Sequence, residues 1–231
     1  MLTPARRRGI EILDDPRADP ALALRSLRDV ALANRCFGGR RAVLRAVESL
    51  LEPTVRPAGS LTLLDVGTGL GDIPAAARAC AARAGIALWT IGLERVPRLA
   101  HAARTRCTAA LAGDALALPF ADHSIDIVTC SQVLHHFDGP DADRLLQECT
   151  RVARQRVIVG DLRRSWLAAA GLWGASWVLG FHPVSRHDGV VSVLRGYTPD
   201  ELRSLVVRAT GHAPTITTGL GFRLSATWSP R

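Results

Sequence analysis

The sequence predicts an α/β fold: a seven-stranded, mostly parallel sheet with helices on both faces, an N-terminal helical cover and an inserted lid helix. Three observations carry that prediction. From residue 61 onward, short β-branched or apolar runs alternate with helical patterns, which argues for a parallel sheet covered on both sides. The first of these runs enters a turn with three closely spaced glycines. Acids then stand at the ends of successive strands.

The elements follow in order. Residues 20–54 read as helix, with Pro20 at the start and apolar positions at helical spacing through Leu24, Leu27 and Val30, then Val43, Leu44, Val47 and Leu50. Gly38–Gly39 divides this stretch into two helices, and "VRPAGS" forms a turn. Strands are expected at 61–66, 87–93, 108–112, 125–130 and 155–160, with helices at 72–84, 97–107 and 141–153. "YTPDELRSLVVRATG" reads as a helix opening near Pro199 and ending at Gly211, before two closing strands at about 214–219 and 222–228. The domain reading is a cover over residues 1–60 and a ligand-binding domain over 61–231, with 163–197 inserted.

Composition narrows the function. The chain has 231 residues, 48% hydrophobic and 22% charged, as expected of a globular protein with a full core. Its five cysteines form no CxxC pair, so buried reduced thiols are expected, with no metal site and no disulfide frame. Arg6–Arg8 are followed by Glu11, Asp14 and Asp15 where a signal peptide needs an apolar core, so a cytoplasmic protein is expected. All 29 basic residues are arginine. Their excess sits in the flanks: residues 163–231 hold 8 Arg against 3 acids, while the central region is nearly neutral. Without a basic stripe interleaved with aromatics, no nucleic-acid partner is expected.

The Gly-rich turn poses the decisive question. "LLDVGTGLGDIP" supplies Gly67, Gly69 and Gly71, whereas a dinucleotide fingerprint requires its third glycine at the position of Asp72. Glu94, closing the next strand in "IGLERVP", suits a ribose in either kind of nucleotide cofactor. "LAGDALALPFADHSIDIVTCSQVLHHF" then adds Asp114 after the third strand and Ser131 at the end of the fourth. With these motifs in this order, the sequence resembles the class I S-adenosylmethionine-dependent methyltransferases over about residues 61–162.

The resemblance implies a Rossmann-like fold, S-adenosylmethionine as cofactor and a role for each matching residue. Asp65 organises the turn and the amino end of the methionine; Gly67, Gly69 and Gly71 admit the backbone to the cofactor. Glu94 holds the ribose hydroxyls, Asp114 and the backbone of Ala115 meet the adenine, and Ser131 lines the methionine. Arg95 stands where the family more often has an apolar residue against adenine.

"LHHF" and "SVLRGYTPDEL" are similar to small-molecule methyltransferases, including the ubiquinone/menaquinone biosynthesis group. That points to a small apolar acceptor: a phenolic, a quinone precursor or a polyketide-like aromatic. A phenol, with a pKa near ~10, needs a base, and His135, His136, His182 and His187 are the candidates. Pro183 and Asp188–Gly189 mark a turn that His182 or His187 would brace. O-methylation is favoured over C-methylation; a nicotinamide oxidoreductase and an RNA methyltransferase are the alternatives in other classes.

The uncharged run Ser165–Phe181 reads as a lid helix. Trp166, Trp173 and Trp177 fall within roughly 40° of one another on it, and with Arg186 and Tyr197 they are the expected acceptor lining. The same face suits a peripheral membrane contact or a partner subunit. The run is shorter than the ~20 apolar residues a spanning helix needs.

Overall fold

A computed structural model describes residues 3–7, 9–15, 19–51 and 60–230. Seven strands form one sheet: β1 (Leu61–Val66), β2 (Leu88–Glu94), β3 (Ala109–Ala112), β4 (Ile125–Ser131), β5 (Ala153–Leu162), β6 (Thr215–Gly219) and β7 (Arg223–Trp228). Their order across the sheet is β3-β2-β1-β4-β5-β7-β6. The first five are parallel, and β7 runs antiparallel to both β5 and β6. The strands therefore match the expected number and positions along the chain, with ends displaced by no more than two residues.

Alternation along the central strands builds two cores. Leu61 and Leu63 of β1, Ile127 of β4 and Ile158 of β5 face α2 (Gly39–Glu48) and α3 (Asp72–Arg83). Leu64, Val66, Val128 and Val159 face the other side, against α5 (Gly139–Val152) and α8 (Pro199–Thr210). Strands buried on both faces carry few polar positions, which is why β1 and β4 read as near-continuous apolar runs. The α4 helix (Pro97–Ala103) closes the β2–β3 crossover.

Local sequence sets the helix ends. In α8, Thr198 and Glu201 form a reciprocal capping box, Pro199 opens the first turn and Gly211 ends it in a left-handed conformation. The cover contains α1 (Pro20–Cys36), capped by Asp19, and Gly38 at φ +77° separates it from α2. The "VRPAGS" turn lies mostly outside the described residues.

Two expectations are corrected. The segment after α6 (Trp166–Val178), the helix expected as a lid, is not a turn but a second helix, α7 (Pro183–Arg195). Pro183 occupies its first turn, where no amide hydrogen bond is lost, and the sequence signal was misread as a break. Four of the five free thiols are buried as expected, but Cys36, at the end of α1, is exposed.

Because β1 sits between β2 and β4, the chain reverses its direction of winding at this point. A crevice opens there, outside the carboxyl ends of the strands.

Candidate active site

The glycine turn fills one side of this crevice. Gly67, Gly69 and Gly71 all have positive φ (69°, 55° and 74°), a region that L side chains rarely occupy. At Gly67 the reason is also steric: a Cβ would stand 2.3 Å from Val133 Cγ2. The backbone of Gly67 and Thr68 donates to the Leu93 carbonyl, at 2.8 and 3.0 Å, tying the turn to the end of β2.

Two acids brace the turn from beneath and beside it. Asp65 is buried and accepts a 2.7 Å hydrogen bond from the Thr129 hydroxyl of β4. Burial pushes its carboxyl up to about 7, against the pull of that hydrogen bond. Glu94 accepts from the Gly69 amide at 3.0 Å and from the Arg95 amide at 2.9 Å. Arg95 itself is exposed at the crevice edge. Asp114, also exposed, accepts from the Leu116 amide at 2.9 Å and so caps its own loop next to Ala115. Ser131 closes β4, and the backbone then turns through Gln132 at φ +56°. The sequence-expected cofactor residues thus lie at the ends of β1, β2, β3 and β4, on one edge of the sheet.

Of the four histidines, two occupy the loop after β4. His135 is buried, and its Nδ1 lies 2.7 Å from Asp161 Oδ1, at the end of β5. The His135 amide donates to the other Asp161 oxygen at 3.0 Å. His135 Nε2 is buried without a hydrogen-bond partner among the described residues, with Glu11 Oε1 3.9 Å away. Burial alone would raise the Asp161 carboxyl, but the adjoining His135 ring outweighs it and holds the group below the ordinary carboxylate value.

His136 is more exposed and faces Asp14 at 3.3 Å. Burial pulls its ring down in pKa, yet Asp14 and Glu11 outweigh this and leave it raised. The pairing with His136 in turn holds Asp14 well below the usual carboxylate range. Glu11 accepts from Ser192 and Arg195, and Arg195 also pairs with Asp14 at 2.7 Å. The N-terminal segment is thereby fastened across the His135–His136 loop and α7.

His182 and His187 are held differently. His182 caps α7, its Nδ1 accepting from the Val184 amide at 3.3 Å. His187 Nδ1 pairs with Asp188 at 2.9 Å.

The expected acceptor lining is divided. Tyr197 is buried, with its hydroxyl receiving Arg6 Nη2 at 2.9 Å; burial raises its phenol. Trp166, Trp173 and Trp177 are exposed on α6, at 40%, 54% and 59%. The guanidinium of Arg7 lies 5.0 Å from the Trp166 ring, and that of Arg186 lies 3.4 Å from the Trp177 ring. None of the three tryptophans borders the apolar pocket beneath α6, which is lined by Leu167, Ala168 and Leu172 of that helix instead.

Sequence reasoning missed Asp161, Glu11, Asp14, Gln132 and Arg223. Asp161 carried a usable signal, an acid ending a strand like Asp65 and Glu94. Nothing local marks the other four.

The crevice and its glycine turn suit a nucleotide cofactor. Residues 64–159 match the family model described as a methyltransferase domain. Fold, turn and matched segment together support a class I S-adenosylmethionine-dependent methyltransferase.

Solved structures agree on the fold. The magnesium protoporphyrin IX methyltransferase of Synechocystis PCC 6803, with bound S-adenosylhomocysteine, superposes with a TM-score of 0.56 at 15% identity over 83% of each chain. An S-adenosylmethionine-dependent methyltransferase from Aquifex aeolicus gives 0.54 at 14% identity, over 81% of this chain and 98% of that one. The methyltransferase domain (CMeT) of the citrinin polyketide synthase gives 0.57 at 14% identity, over 80% of this chain and 51% of that one. A search of curated proteins found no match. No helix among the described residues is long and apolar enough to cross a membrane.

Proposed function

We propose that the enzyme O-methylates a small apolar aromatic acceptor, a phenol, quinone precursor or polyketide-like ring. The observation that carries this reading is the Asp161–His135 pair at the carboxyl ends of β4 and β5. A carboxylate on Nδ1 fixes the ring and leaves the Nε2 lone pair free on the side covered by Glu11, the arrangement a general base needs once that cover admits the acceptor.

In this reading Asp65, Gly67, Gly69 and Gly71 cradle the methionine end of the cofactor. Glu94 retains oxygen lone pairs for ribose hydroxyls, Asp114 and Ala115 face adenine with Arg95 at its rim, and Ser131 lines the sulfur side. The glycine conformations and the acids at three strand ends fit such a ligand. S-adenosylmethionine supplies a methyl already activated on a sulfonium. The chain's own work is to align the acceptor oxygen, exclude water and take its proton at His135 Nε2. Glu11, 3.9 Å from that atom, belongs to the segment that covers it. His136 fastens this cover, while His182 and His187 serve as braces of α7. The exposed tryptophan face of α6 supports a peripheral contact of the enzyme with an apolar surface.

Calorimetric titration with S-adenosylmethionine, S-adenosylhomocysteine and NAD tests the cofactor, and NAD binding alone would overturn the class. With a phenolic acceptor, His135→Gln keeps S-adenosylhomocysteine affinity, loses turnover by 10²-fold or more and partly recovers at high pH. Unchanged turnover in a panel of active acceptors would exclude His135 as the base.

A further inference from the structure

Beneath α6 lies a pocket of about 190 Å³, open to solvent and walled by Phe37, Leu162, Ala168, Leu172 and Phe222. Its walls come from α6, the end of β5, the β6–β7 hairpin and the α1–α2 junction. Leu162 and Arg223 place it at the carboxyl end of β5, the end of the sheet at which the crevice opens. Gln132, directly after β4, donates its amide to the Gly160 carbonyl at 2.7 Å, and the adjoining Val133 touches the glycine turn. The volume is below the ~300–1,000 Å³ of sites that enclose a whole drug-sized ligand, so it suits part of one.

One wall of this apolar pocket is a cation. Arg223 opens β7 opposite Leu162 and is only 4% exposed. Its Nε donates to the Phe37 carbonyl at 3.2 Å and its Nη1 to Gln132 Oε1 at 3.0 Å, both neutral acceptors. Nη2 has no hydrogen-bond partner among the described residues. No carboxylate among them lies within ion-pairing distance. Asp161, one residue before Leu162, acts on Arg223 only through space, because its oxygens are engaged by His135 and the Leu162 amide. Burial lowers the Arg223 guanidinium to about 10, so it is charged at neutral pH. A buried guanidinium without a counter-ion is costly, and a planar carboxylate is the partner its fork matches best.

We propose that this pocket binds an apolar acceptor bearing a carboxylate, with Arg223 as the counter-ion and the residues beneath α6 holding the apolar body. The proposal rests on the methyltransferase reading above and narrows its acceptor class to aromatic acids. Gln132 positions Arg223: its side-chain amide donates to Asn34 Oδ1 of α1 while its carbonyl oxygen accepts from Arg223, so the guanidinium is held from two elements.

The test is calorimetry on the intact protein saturated with S-adenosylhomocysteine, using 3-phenylpropanoate and 3-phenylpropanol, probes alike except for the charge. The acid should bind the wild type at least about ten-fold more tightly, the gain of a charge-assisted hydrogen bond. Arg223→Met should abolish that preference with S-adenosylhomocysteine affinity within about two-fold of wild type. Arg223→Lys should retain part of it. If Arg223→Met fails to fold, Leu172→Trp, which fills the pocket from a surface helix, should remove binding of both probes. Equal binding of the two probes, binding of neither, or a preference that survives in folded Arg223→Met would overturn the proposal. Loss of S-adenosylhomocysteine binding in the wild type would instead refute the cofactor reading beneath it.

Discussion

Asp161 grips His135 at two points: its Oδ1 lies 2.7 Å from the ring Nδ1, and its Oδ2 accepts the backbone amide at 3.0 Å. One carboxylate thus fixes both the ring and the loop that carries it. Since Asp161 ends β5 and His135 follows β4, the contact also joins two neighbouring strands above the sheet.

Removing this carboxylate should cost stability with a defined pH signature. Asp161→Asn leaves a buried ring with one partner weakened, and we expect a loss of about 3 kcal/mol in urea unfolding at pH 7. The folded Asp161 is held below its ordinary 3.8, so its contribution is present above that pH and disappears as pH falls through the folded value. The difference between variant and wild type should therefore shrink below pH 4. A difference that stays constant down to pH 2 would assign it to shape, not charge.

Asp65 predicts the opposite trend. Its carboxyl is raised to about 7 in the folded protein by burial, while in the unfolded chain it ionises near 3.8. Between those values the folded state binds the extra proton, so this group's contribution to stability falls as pH rises from about 4 to 7 and is flat above. Asp65→Asn should remove that slope and recover roughly 2–4 kcal/mol relative to the ionised wild type above pH 7. It should also weaken S-adenosylmethionine binding. Parallel stability–pH curves for the two proteins between pH 4 and 7 would contradict the burial argument.

These two acids also mark what was legible in the sequence. The strands were readable because burial on both faces writes a near-continuous apolar run, as in Leu61–Val66, and the glycine spacing fixed the turn after it. Asp65, Glu94 and Asp114 stood out because each stands at or just after the carboxyl end of a strand. The lid region was harder. Pro183 and Gly189 resemble turn punctuation, yet proline in a first helical turn costs no hydrogen bond and α7 forms regardless. The tryptophan periodicity correctly marked one face of α6 but not which way it looked, since periodicity is blind to what the helix packs against. Glu11, Asp14 and Arg223 meet their partners only across more than 90 residues of chain, so no local pattern could pair them with His136, Arg195 and Gln132.

The glycine turn can be separated from ordinary left-handed glycines by comparing two alanine variants. Gly67 and Gly85 have nearly equal φ, 69° and 70°, but a Cβ at Gly67 meets Val133 Cγ2 at 2.3 Å and one at Gly85 meets nothing within 4 Å. Both variants bear the backbone penalty of about 1–2 kcal/mol. Only Gly67→Ala must also displace Val133 and with it the loop leading to His135. We expect Gly85→Ala to lose only that backbone penalty in thermal unfolding and to bind S-adenosylhomocysteine normally. Gly67→Ala should lose a further 1–3 kcal/mol, by roughly the cost of overpacking, together with at least ten-fold in affinity. Equal affinity in the two variants would remove the turn from the cofactor site.

The N-terminal cover should loosen as pH rises, and its own amides can report this. His136 has a raised folded pKa, so its bond to Asp14 contributes fully below the unfolded value of 6.5 and is lost as pH climbs through the folded value. Asp14 is depressed, so its contribution is present above 3.8 and is lost only in acid. Docking through this pair is therefore strongest between about pH 4 and 6.5. The Arg7 amide donates to the Leu194 carbonyl, and those of Ile12 and Leu13 donate to Asp188, so each sits in the docked segment. Hydrogen exchange of these three amides, corrected for the intrinsic rate at each pH, should be slowest in that window and accelerate toward pH 8.5. His136→Gln should flatten the dependence above pH 6, while Arg195 continues to hold Glu11 and Asp14 in both proteins. Protection that does not change from pH 6 to 8.5 in the wild type would show that arginine alone fastens the cover, and that His136 does not govern access to His135.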